Sequence, residues 1–160
     1  MYKAAVLLTV LGFMSVPGHI QAQNQNPVVQ EIREIISSGY AYAAENLRDR
    51  EGDYASEGAL EFWSSGGLVQ NVPPDSPALS YESFNLVPKY IWVIPVTDDV
   101  AVAQFYVEGS YQQVGQPPVD HYFTRATQVY VREGGAWKIR AAHFSPVQGG
   151  TGTRQTAIGG

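Results

Sequence analysis

The sequence predicts an α+β domain in which long antiparallel strands pack on a single layer of helix. Three observations predict it. Val28, Ile32, Ile35, Ile36, Tyr40, Ala43 and Leu47 recur at helical spacing, with Glu31, Arg33, Glu34 and Glu45 on the opposite side. After Ser83 that period gives way to runs rich in β-branched and aromatic residues. Two of these runs, His121 to Arg132 and Trp137 to Ser145, flank Glu133-Gly134-Gly135, a tight glycine turn that makes them a hairpin.

Gln23 to Pro27 is a polar leader without periodicity, so the ordered domain is expected to run from Val28 to Pro146. The helix opening at Val28 is long and buries one face. Asp49 to Gly52 is a charged break, and Asp53 suits the N-cap of a short second helix through Leu60, which Gly58 weakens and Ser64-Ser65-Gly66-Gly67 ends. Leu68 to Val72 reads as a short strand and Pro73 to Ser80 as a loop. Leu86 to Val96 is a strand whose Pro88 and Pro95 cannot donate to a ladder, which suggests an edge or a bend. Thr97-Asp98-Asp99 then turns the chain into the strand Val100 to Tyr111. Alternation puts Ala101, Ala103, Phe105, Val107 and Tyr111 on one of its faces and Val100, Val102, Gln104 and Tyr106 on the other. Gln112 to Val119 is a loop. Residues 147–160 hold five glycines and three threonines and are expected to be a disordered tail.

The 160 residues, 44% hydrophobic and 16% charged, suit one globular domain. Lys3, the apolar run Ala4 to Val16, Pro17-Gly18 and then Ile20-Gln21-Ala22 read as a secretory signal over residues 1–22. The run is shorter than the ~20 residues a membrane span needs. A mature chain from Gln23, periplasmic or secreted and free of the membrane, is the expectation. There is no cysteine, so disulfides, a lipoprotein anchor and thiolate zinc sites are excluded. A net charge of −5 without any Lys/Arg cluster argues against nucleic acid and anionic membranes. A small molecule or another protein is left as partner.

The block TRATQVYVREGGAWKIRAAHFSP, Thr124 to Pro146, resembles the end of SnoaL-like domains in the nuclear transport factor 2-like superfamily, which also contains the association domain of calcium/calmodulin-dependent kinase. Arg125, Thr127, Gly134, Trp137, His143, Phe144 and Ser145 carry the resemblance, and the helix at Val28 and the Gly52-Asp53 step fit its order. It implies a strongly bent antiparallel sheet forming a cone, packed on a long N-terminal helix and short helices, with one ligand inside and a homodimer made through the sheets. The two apolar faces of Val100 to Tyr111 agree with such pairing.

Trp137, Ile139, Ala141, His143 and Ser145 alternate onto the more apolar face of the last strand, which places His143 inside the cone. There it is either a core histidine bonded to backbone or a group whose pKa is tuned by its neighbours. Arg125 shares a face with Thr127, Val129 and Val131, and the resemblance puts it at the cavity. An arginine there needs either an internal partner, with Asp120, Glu108 or Glu45 available, or an anionic ligand. Asp120 and His121 point to opposite faces and form no dyad. Trp63, Tyr54, Tyr90, Trp92 and Tyr106 line the cavity or belong to the core. Neither a metal-ligand spacing nor a phosphate loop occurs, and no cofactor is expected.

Three functions follow as expectations. The first is an exported small-molecule-binding domain whose apolar pocket carries Arg125 and His143, with Trp63, Trp92 and Tyr106 as further contacts, for a small apolar or carboxylate-bearing ligand. The second is a cofactor-independent lyase or isomerase of the ketosteroid isomerase or polyketide cyclase kind, with His143 as general base and Arg125 stabilising an oxyanion. The third is an oligomeric assembly module with a vestigial cavity.

Overall fold

The computed structural model describes residues 26–147. The expected signal at 1–22 and nearly all of the expected tail lie outside them.

Helix α1 (Pro27–Asn46) starts where Asn26 accepts the Val28 N–H in its side-chain oxygen at 2.9 Å, with Pro27 in the first turn where its missing N–H costs nothing. It ends at Leu47, whose left-handed φ of 51° stops propagation. Val29, Ile32, Ile36 and Ala43 form its buried face, and Val28, Ile35 and Tyr40 pack beside them.

Six strands follow: β1 (Ala59–Phe62), β2 (Gln70–Val72), β3 (Tyr81–Pro95), β4 (Val100–Gln113), β5 (Val119–Glu133) and β6 (Ala136–Pro146). They form one curved, unclosed sheet in the order β2-β1-β6-β5-β4-β3, so β3, with its two prolines, is an edge strand as its sequence suggested. The α+β class holds, with two differences in detail. The sheet is mixed, because β1 runs parallel to β6 while the other pairs are antiparallel. And no helix forms over Asp53 to Leu60: Ile139 donates its N–H to the Asp53 carbonyl and accepts from Ala55, so this stretch is extended against β6 before entering β1. That pairing, made 84 to 86 residues away, overrides the local capping signal.

The concave face packs on α1 through Val93, Ala101, Ala103, Phe105, Val107, Ala126, Tyr130 and Trp137. Burial of this apolar area is the main stabilising term. Polar clamps fix the two layers. The Glu31 carboxylate accepts from Arg132 and from the Trp137 indole, both at 2.6 Å, and Arg132 lies 4.3 Å over the Trp137 ring. Arg33 donates to the Ile91 carbonyl.

Candidate functional site

Arg125 and His143 are neighbours, but on the outer face of the sheet. The reason is a β-bulge. Val129 pairs with Ala141 and Tyr130 with Ile139, which leaves Arg140 as an additional residue in β6. Trp137 and Ile139 turn inward as alternation requires; beyond Arg140 the phase reverses, so Ala142 and Phe144 go to the core while His143 and Ser145 go outside. On β5 the inward residues are Tyr122, Thr124, Ala126, Gln128 and Tyr130, and Arg125 is exposed. The placement of Arg125 and His143 at the bottom of the cone is therefore corrected. None of the acids considered for Arg125 meets it: its Nε donates to Ser145 Oγ at 2.8 Å, and Glu108 pairs with Lys89.

Trp92 and Tyr106 also lie on the outer face, about half exposed, rather than in a cavity. Trp63 and His143 line one cleft. With Phe62, Ser64, Phe144 and Ser145 they line a cleft of about 240 Å³ where β1 and β6 end, and the Phe62 and His143 rings stand edge to face at 5.6 Å. A hollow of about 570 Å³ between the start of α1 and the β3–β4 turn contains Arg132, which is already bonded to Glu31 and Asp99.

The concave side holds the polar groups that alternation alone did not reveal. Gln128, Ala142 and Glu61 form a row across β5, β6 and β1, all buried. Glu61 accepts from the Trp63 indole at 2.8 Å, and burial raises its pKa against that bond. Tyr130 donates to Gln128 at 2.7 Å, and Tyr122 meets Ser64 at 3.3 Å. Asp49, just past the end of α1, accepts from the Tyr81 hydroxyl at 2.8 Å; burial pushes its carboxyl up to about 6, the Tyr81 bond opposes this, and Asp53 and Glu61 add to it. Tyr40 is pushed well up by burial, then by Tyr122, Tyr130 and Asp49. Rings continue from Phe105 through Tyr40, Phe84, Tyr81 and Tyr111 to Tyr122. Beside Tyr122 on the same face, Thr124 is fully buried and its Oγ1 has no hydrogen-bond partner. Among the described residues no group of three or more His, Asp or Glu is arranged to hold a metal, and no helix is long and apolar enough to cross a membrane.

No family model and no curated protein matches the chain. Solved structures do. A candidate scytalone dehydratase from Novosphingobium aromaticivorans superposes with a TM-score of 0.58 at 10% identity, covering 86% of this chain and 93% of that one. A hexachlorocyclohexane dehydrochlorinase from Novosphingobium barchaimii gives 0.56 at 13% identity, with 86% and 96% covered. A candidate calcium/calmodulin-dependent kinase II association domain from Exiguobacterium sibiricum gives 0.52 at 17%, with 76% and 95% covered. The chain has the nuclear transport factor 2-like fold.

On this nuclear transport factor 2-like cone, sequence reasoning missed Asp49, Glu61, Thr124, Gln128 and Tyr81. One signal was available for β5. Tyr122, Ala126 and Tyr130 are as apolar as the set around Arg125, and choosing them would have placed the arginine in water without a partner.

Proposed function

We propose that the chain is an exported small-molecule-binding domain whose ligand is neutral, largely apolar, and held on the concave side of the sheet. The observation that carries this is Thr124 Oγ1, fully buried and without a partner. Such an orphan costs about 1–3 kcal/mol unless another molecule supplies the missing bond. The buried polar residues among those described are Glu61, Ser64, Thr124 and Gln128, none of them basic. A carboxylate inside would therefore meet acids and no cation. Export is supported by the apolar run at residues 4–16 alone.

Native mass spectrometry of protein purified from its own source tests this. The parent should retain a ligand, and Thr124→Val should lose much of it while melting at the same temperature or higher, because valine removes the orphan. Equal retention by the variant would refute the reading.

A second reading is favoured by Asp49. A carboxyl raised to about 6 and held by Tyr81 suits a general base near neutral pH. It would take the role first given to His143 in a cofactor-independent lyase or isomerase. The names of two structural relatives, a dehydratase and a dehydrochlorinase, fit a base of this kind. Turnover would rise as pH passes about 6, where Asp49 ionises. Asp49→Asn should lower it by about 10²-fold or more with the fold intact; unchanged turnover removes Asp49 as base.

The proposal includes a homodimer through the outer face near β3 and β4. Val87, Trp92, Ile94 and Tyr106 are each 41–51% exposed there, a large apolar patch for a lone chain.

A further inference from the structure

The outer cleft at the ends of β1 and β6 has a chemistry opposite to that of the interior. Phe62 and Trp63 line it together with Ser64 and the Phe144 position, and its polar end is built by His143 and Ser145. Arg125 joins that end because its Nε is tied to Ser145 Oγ at 2.8 Å. The bond fixes the plane of the guanidinium and leaves its two terminal nitrogens without a carboxylate among the described residues. Glu108 is held by Lys89, and Glu61, the acid of β1, turns to the concave side and binds the Trp63 indole. A permanently charged planar fork bonded to a residue of an aromatic-lined cleft suits a planar oxyanion, and the aromatic lining favours a carboxylate on a small ring. The volume of about 240 Å³ admits a single ring with its carboxylate and little more.

We propose that this cleft is a second binding site, for a small aromatic carboxylate, with Arg125 pairing the carboxylate, His143 and Ser145 beside it, and Phe62 and Trp63 against the ring. Its proposed ligand contacts do not include Thr124, although Ser64 lines the cleft and also meets Tyr122 on the concave side. Its cleft at β1 and β6 lies across β5 from the β3–β4 patch, while Arg125 on β5 pairs with Tyr106 at the edge of that patch.

Benzoate is the probe. Titrated into the isotope-labelled protein, it should shift the Trp63 indole signal and the His143 and Ser145 amides saturably, while the Trp92 and Trp137 indoles stay in place. Benzamide, its neutral counterpart, should give no saturable shift. Arg125→Gln should weaken benzoate binding about tenfold or more, and Arg125→Lys, which keeps the charge and loses the fork, should fall between. Arg125 is exposed, so both variants should fold. Thr124→Val should leave benzoate binding unchanged, which separates this site from the interior one. The proposal is overturned if sodium chloride at equal ionic strength produces the same shifts, if Arg125→Gln binds benzoate as well as the parent, or if the shifts centre on Thr124 and Tyr130.

Discussion

Asp49 links the stability of the fold to pH. Its carboxyl ionises near 3.8 in an unfolded chain and at about 6 in the folded one, because burial penalises the charge. The folded chain thus holds the proton more tightly, so this residue favours folding most below pH ~4, progressively less between about 4 and 6, and stays at a lower plateau above that. Burial moves Asp53 and Glu61 in the same direction, whereas Glu31 moves the other way through its bonds to Trp137 and Arg132. Asn at position 49 keeps the acceptor for Tyr81 and discards the charge. Asp49→Asn should therefore gain roughly 2–3 kcal/mol at pH 7, gain little at pH 4, and flatten the dependence between them; urea unfolding at the two pH values measures it, and an unaltered slope would count against the assignment. None of this was legible locally. Asp49 opens a charged stretch that reads as solvated, yet it is half-buried where the hydroxyl of Tyr81, 32 residues on, reaches it. Thr124 differs: the apolar Tyr122, Ala126 and Tyr130 around it offered a signal for its face, but that its hydroxyl lacks a partner is a tertiary fact.

The elements that were legible are those whose period is strong within themselves: α1, β4 with its residues sorted onto two faces, the β5–β6 hairpin with its glycine turn, and the proline-marked edge at β3. What escaped were irregularities defined by register between strands. Arg140 carries no sign of being unpaired, since that depends on which residue of β5 it fails to meet, yet it inverts every side chain after it. Gly109 is the counterpart in β4, at a register shift opposite Leu86 and Tyr122. Its φ is +136°, and a Cβ there would lie 1.9 Å from the Asn85 carbonyl oxygen, with Leu86 backbone just behind. Backbone on an already bent edge cannot yield as a side chain tip would. Gly109→Ala should cost about 3 kcal/mol or more, read as a drop in urea midpoint, and a loss under 1 kcal/mol would mean that β3 moves freely against β4.

For the molecule as a whole, the two faces of the sheet divide the work proposed for them: helix and neutral ligand inside, second copy and carboxylate outside. The dimer has a direct test. Trp92→Lys with Ile94→Lys places two charges on the β3 patch and touches nothing in the core, so sedimentation should change from dimer to monomer with the melting curve of the monomer retained; a parent that sediments as a monomer at micromolar concentration ends the idea. The parallel pairing of β1 with β6 has a different consequence, one of timing. Leu60 to Phe62 find their neighbours at Ala141 to His143, in the last strand of the domain. With β2 pairing only to β1, neither strand can be seated until β6 has been made, and closing so long a stretch of chain is slow. β1 and β2 are therefore the last strands to be seated, and if the chain is exported as proposed, that delay leaves time in which a transporter can still thread it.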